Sequence, residues 1–165
     1  MTLGLIAHAG KEGASSLVRS VTGELDRRGA PYLLEKSTAA LIGVDSPLDE
    51  AALAERCDIL LVMGGDGSIL RALHRSGGHI RPIFGINIGS LGFLTCLGSD
   101  EYLRAVDSVL SGNYLLSQRS LLDVEISGPE GITPLERALN DVTISRGERS
   151  QLVKLQASVA GAPLT

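Results

Sequence analysis

The stretch "DILLVMGGDGSILRAL" (58–73) constrains the fold of this chain more than any other. An unbroken apolar run, Ile59 to Met63, ends directly on Gly64 and Gly65. A short apolar run without polar alternation reads as a strand covered on both faces. The "SILRALHRS" that follows reads as a helix stopped at Gly77-Gly78. A strand buried on both sides requires helices on both sides, so the rest of the chain must supply them.

It does. "LGLIAH" (3–8) reads as a first buried strand, and 15–28 as a helix with Leu17, Val18, Val21 and Leu25 on one face and Gly29 as its stop. "PYLLEK" is a weaker second strand. "SPLDEAALAERC" reads as a helix with Ser46 as N-cap, Pro47 at its first position, and Asp49 and Glu50 in its first turn. "PIFGIN" (82–87) is another strand, and "DEYLRAVDSVLSG" a helix with Tyr102, Leu103, Val106, Val109 and Leu110 facing inward. Strand and helix alternate throughout, the pattern of a Rossmann-like parallel α/β sheet. After Gly112 the helical period disappears, and three strand-like stretches follow, the first two broken by "GPEG" (128–131). The expected organisation is an α/β domain over 1–112, binding nucleotide or phosphate, and the start of an incomplete antiparallel β domain over 113–165.

Composition narrows the function. Fifteen Lys and Arg against nineteen Asp and Glu leave a net charge of −4 with no basic run, which argues against a nucleic-acid or membrane-surface partner. The N-terminus lacks a secretory signal pattern and no stretch is long and apolar enough to span a bilayer, so the expected compartment is the cytoplasm. Cys57 and Cys96 have no metal-ligand spacing.

The turn after the central strand carries the chemistry. Ligands of α/β proteins bind where parallel strands run into helix N-termini, whose unpaired N–H groups favour anions. Gly64, Gly65 and Gly67 remove side chains so that backbone can approach a phosphate. An acid in an anion cradle is out of place unless it serves the reaction. Asp66 would hold a divalent metal against phosphate oxygens, or take a proton from an attacking hydroxyl. The competing structural reading makes Asp66 a helix cap in a glycine-rich turn. A second cluster, "GINIGSLGFLT" (85–95), places Gly85, Gly89 and Gly92 around Asn87 at the same sheet edge, with Phe93 either a ring for a base or a core residue. A third, "LNDVTISRG" (139–147), pairs Asn140 with Asp141, either to read a base edge and a ribose hydroxyl or simply as a strand entry.

In this order the three clusters resemble the ATP-NAD kinase family over essentially the whole chain. The resemblance implies an α/β domain followed by a β domain with the active site between them. It implies phosphorylation of the adenosine ribose 2′-hydroxyl of NAD to give NADP, with ATP or polyphosphate as donor and a divalent metal, Mg²⁺ by expectation. Asp66 then matches the catalytic acid that accepts the hydroxyl proton. Gly67 contacts the same nucleotide, and Gly64 and Gly65 belong to the donor-phosphate loop. Arg71, one turn into the helix, either reaches a phosphate or lies on a solvated face. Phe93, Asn140, Asp141 and Gln151 fall among the NAD-binding positions. Asp141 stands where the family usually has Glu, and Gln151 where members often carry Arg or His. The family's later Thr-Gly-Ser-Thr-Ala-Tyr segment would lie beyond Thr165, so the sequence looks like roughly the first half to three-fifths of such an enzyme. The intact family members are commonly homo-oligomers.

The rivals are a truncated nucleotide-binding module without turnover and a lipid kinase, since diacylglycerol and sphingoid-base kinases also carry a GGDG loop. His8, His74 and His79 are too scattered for a metal site, and Lys11, following Gly10 at the end of the first strand, is read as a solvated loop lysine rather than one that approaches a phosphate.

Overall fold

The computed structural model describes residues 1–135, 137–139, 142–144 and 154–164. Two compact units divide the chain, Met1–Arg119 and Ser120–Thr165.

The first unit is an α/β layer structure. Its strands are β1 (Leu3–Ala7), β2 (Tyr32–Leu34), β3 (Ile59–Gly64), β4 (Ile83–Asn87) and β5 (Leu97–Gly98). They form one sheet in the order β2-β1-β3-β4-β5, with every pairing parallel. The helices are α1 (Ala14–Arg27), α2 (Lys36–Ala40), α3 (Glu50–Arg56), α4 (Asp66–His74) and α5 (Tyr102–Ser111), the last entered through a 3₁₀ turn at Ser99–Glu101.

Strand alternation sorts the core into two layers. Leu3, Leu5, Ala7, Ile59, Leu61, Met63 and Ile86 point toward α1 and α5, joining Leu17, Val18, Val21, Leu25, Ala105, Val106 and Val109. Ile6, Leu60 and Val62 point the other way, onto Leu53 and Ala54 of α3 and Ile69 and Ala72 of α4. That two-sided cover is what the unbroken run 59–63 requires. Gly4 lets α3 come close, because a Cβ there would fall 2.8 Å from Cys57 Sγ.

Local corrections have physical reasons. Asp49, not Ser46, caps α3, accepting from Ala52 N at 2.8 Å, and the helix starts at Glu50. Ser46 instead donates to Leu34 O at 2.6 Å, fastening the approach to the edge strand β2. Leu103 is exposed, and Ala105 takes the inward place on α5. The short α2 went unpredicted: Glu35 caps it by accepting from Ser37 N and Thr38 N. Thr38 Oγ1 in turn accepts from Ala7 N at 2.8 Å, so this small helix holds the C-terminal end of β1.

The second unit, taken by itself, contains two antiparallel hairpins, β6 (Glu125–Gly128) with β7 (Gly131–Pro134), and β8 (Ser158–Val159) with β9 (Ala162–Pro163). The break at "GPEG" is the turn of the first. Ala160 and Gly161 make the second turn, both with positive φ (49° and 82°), the backbone of a two-residue hairpin turn matched to strand twist.

Candidate active site

Strand order reverses between β1 and β3, since the connection from β1 leads outward to β2 and the next strand returns to β1's other side. At such a switch point the loops leaving the C-terminal strand ends diverge and open a crevice. The loops after β1, β3 and β4 lie side by side at this edge. His8 N–H donates to Met63 O at 2.9 Å, and Ile88 N–H to Gly64 O at 2.8 Å, so the end of β3 is flanked on both sides.

The glycines of the β3 turn have different reasons to be glycine. A Cβ on Gly64 would fall 2.7 Å from Ser68 Cβ, so that residue is set by the close return of α4, where Ser68 Oγ accepts from Gly65 N at 3.3 Å. Gly65 faces Lys11, whose Nζ would lie 3.2 Å from a Cβ there. Gly67 is exposed and helical, and a Cβ on it would meet nothing within 4 Å. The protein's own packing gives no cause for glycine at that position.

Asp66 is the first residue of α4 and half-buried. Its Oδ2 accepts from Phe93 N at 2.8 Å and its Oδ1 from Leu94 N at 3.0 Å, so the acid clasps the second glycine cluster. Gly92 is glycine because a Cβ would fall 2.6 Å from Asp66 Cγ. Each carboxylate oxygen has a second lone pair, so the clasp leaves acceptor capacity for a hydroxyl proton. The competing cap reading falls short of this picture, because the side chain reaches 27 and 28 residues along the chain rather than to its own helix.

The loop that grips Asp66 is itself anchored. Asn87, 2% exposed, lies opposite Gly64 in the sheet register and donates from Nδ2 to Thr95 Oγ1 at 3.0 Å. Gly92 N donates to the same hydroxyl at 3.2 Å. Asn87 Oδ1 is buried with no partner among the described residues. The Phe93 side chain is 94% exposed, so the core alternative gives way to a ring presented to solvent beside Asp66.

Arg71 points elsewhere: its Nε lies 3.8 Å from Glu50 Oε1, a carboxylate that Arg75 also approaches at 3.6 Å. Asn140, Asp141 and Gln151 lie outside the described residues. Among the described residues no three His, Cys, Asp or Glu side chains gather into a metal cage. No described helix is long and apolar enough to cross a membrane. The sequence alone gives Thr95 no role and leaves a phosphate contact as the lesser reading of Lys11. The signal for Lys11 is its place in the short loop after a buried strand, and for Thr95 its spacing of eight from Asn87, which a loop returning to its own strand end permits.

The model of the ATP-NAD kinase N-terminal domain matches residues 3–114. A protein named NAD kinase from Chlorobaculum tepidum is 34% identical over 151 residues, covering 92% of this chain and 51% of the relative. Another, from Symbiobacterium thermophilum, is 35% identical over 156 residues, covering 94% and 55%. The chain thus spans about half the length of the curated relatives it matches. The crystal structure of yeast NADH kinase complexed with NADH superposes with a TM-score of 0.83 at 19% identity, over all of this chain and 54% of that one, a likeness of fold. The chain belongs to the ATP-NAD kinase family.

Proposed function

We propose that this chain carries the donor loop and catalytic base of a kinase that moves a phosphoryl group from ATP or polyphosphate to the adenosine ribose 2′-hydroxyl of NAD. The observation that carries the reading is Gly67. It lies in the turn at the C-terminal end of β3, helical, exposed and with nothing within 4 Å of a Cβ built on it, so its backbone is open to a ligand's close approach. Gly64, Gly65 and the first amides of α4 cradle the donor phosphates, and Phe93 offers its exposed ring to the acceptor nucleotide. The ribose oxygen attacks the terminal phosphorus, the bond from that phosphorus to its bridging oxygen breaks, and ADP or the shortened polyphosphate leaves. The hydroxyl proton passes to the carboxylate of Asp66, which the Phe93 and Leu94 amides hold in place. Positioning supplies most of the rate, and the base adds about 10²- to 10⁴-fold. The described residues do not fit a protein-built metal cage. A divalent ion is expected on the donor's own phosphates, as Mg²⁺ is ordinarily held. Asn140, Asp141 and Gln151 are proposed to hold NAD. Arg71, whose Nε lies 3.8 Å from Glu50 Oε1 without a hydrogen-bond partner among the described residues, is proposed with them as a nucleotide contact. A cytoplasmic setting and homo-oligomeric assembly belong to the same proposal, for the intact protein.

Acceptor choice tests the reading. With γ-labelled ATP, label is expected on NAD and not on diacylglycerol or a sphingoid base. Label on a lipid with none on NAD would replace this reading with a lipid kinase. NAD binding without any label transfer would replace it with a nucleotide-binding module.

A further inference from the structure

The sequence leaves Lys11 as a solvated loop lysine or one that approaches a phosphate, and its surroundings favour the second. It is half-buried, and its Nζ donates to Ile88 O at 2.6 Å, bridging the loop after β1 to the loop after β4. The same nitrogen would lie 3.2 Å from a Cβ on Gly65 and 3.9 Å from one on Gly89. Gly89 also takes a φ of 108°, a backbone that other residues rarely adopt. The ammonium is therefore lodged between the turns that end β3 and β4, on the crevice edge, with glycine on both sides.

Its charge balance is incomplete. The ion pairs formed among the described residues do not include Lys11, and its hydrogen-bond acceptor is a neutral carbonyl. A partly desolvated cation is costly without an opposite charge, and one carbonyl meets one of its three N–H groups. What completes the site is an anion with several oxygens that can reach over Gly65. A single carboxylate would satisfy the charge, but the turn that Lys11 leans on is the one read above as a phosphate cradle.

We infer that Lys11 is a donor-phosphate ligand, holding the phosphoanhydride chain of a nucleoside triphosphate or inorganic polyphosphate above Gly65. The inference rests on the phosphotransferase reading for its role in turnover, but the anion site is testable alone. Lys11 binds and makes or breaks no covalent bond. The carbonyl of Ile88 fixes its ammonium at the loop edge before the anion arrives.

The probes are inorganic tripolyphosphate and ATP, titrated calorimetrically into the wild-type chain and into Lys11→Met, Lys11→Arg and Lys36→Met, with thermal melts of each. Lys36 is an exposed lysine at the start of α2 and controls for net charge. Lys11→Met is expected to weaken tripolyphosphate and ATP binding by roughly 10- to 100-fold, the scale of a lost charge-assisted hydrogen bond. Lys11→Arg should retain part of the affinity and Lys36→Met all of it. In turnover, the donor KM should rise while the NAD KM stays put. If Lys11→Met lowers the melting temperature yet binds tripolyphosphate like wild type, Lys11 is only a strap between loops and the inference is wrong. Absence of tripolyphosphate binding by the wild type also overturns it. If binding depends on Lys11 but no phosphate reaches NAD, the anion site stands and the phosphotransferase reading falls. ATP binding that tripolyphosphate cannot displace would move the contact off the phosphates and reject the assignment.

Discussion

Gly67 and Asp66 are adjacent, yet substitution should affect them in opposite ways. A methyl at Gly67 meets nothing, and Ala is the better helix former by about 0.5–1 kcal/mol, so Gly67→Ala should melt at the same temperature or slightly higher. Its nucleotide binding should nevertheless fall at least about tenfold, because a side chain then stands where the ligand approaches. Unchanged binding would remove the main support for the cradle. Asp66→Asn is a less clean change than the motif alone suggests. An amide oxygen can accept from one of the Phe93 and Leu94 amides, but the NH₂ group faces the other as donor against donor. The loop over 91–95 should loosen, at a cost of about 1–3 kcal/mol for the orphaned group. Gly92→Ala, whose Cβ would press on the Asp66 carboxylate, should disturb the same clasp while keeping a carboxylate able to take a proton. Comparing the two separates roles. Loss of the clasp raises the NAD KM in both, and loss of the base depresses kcat only in Asp66→Asn.

At the scale of elements, the small helix α2 is the part that pH should probe. Burial by itself pushes the Glu35 carboxyl up, but hydrogen bonds from Ser37 and Thr38 outweigh it and hold the group below its ordinary value. A carboxylate held low in the folded state adds stability above its unfolded value, and that stability is lost as pH falls through the lower folded value. Glu35→Gln should therefore cost about 1–3 kcal/mol near neutral pH, with the gap to wild type closing as acid protonates Glu35. Urea melts at a series of pH values check this, and a gap that widens in acid would contradict it. That α2 was unseen in the sequence has a clear cause. "KSTAA" is too short for a period, and its cap is a Glu, outside the usual Ser, Thr, Asp and Asn. The start of α3 was misplaced because Ser46 and Asp49 are both good caps, and the choice was made by the need of Leu34 O for a partner. β5 is two residues long and carries no pattern. By contrast β3, α1 and the bulk of α5 were plain, because burial on a fixed period leaves its mark in local sequence. The glycine turn was legible too. The Asp66 clasp was not, since nothing local at 66 announces a loop 27 residues away. The lodging of Lys11 was hidden for the same reason: its neighbours lie in the loops after β3 and β4.

For the molecule as a whole, the two units differ in how they are held. Met1–Arg119 has a two-layer core around a buried sheet. In Ser120–Thr165 the paired strands are short, and Leu122, Ile126, Ile132, Leu135 and Val159 are exposed. Isolated two-stranded hairpins are marginal in water. Limited proteolysis should therefore yield a resistant fragment close to Met1–Arg119, with cleavage first in the second unit. Resistance of the whole chain, with one cooperative melt, would contradict this. The catalytic role of the first unit's glycine turn is tested by measuring NADP formed from NAD, ATP and Mg²⁺ by the wild-type chain and by Asp66→Asn. NADP is expected from the wild type, and about 10²- to 10⁴-fold less per unit time from the variant. NAD bound by the wild type with no NADP formed, or equal rates in the two proteins, would contradict it.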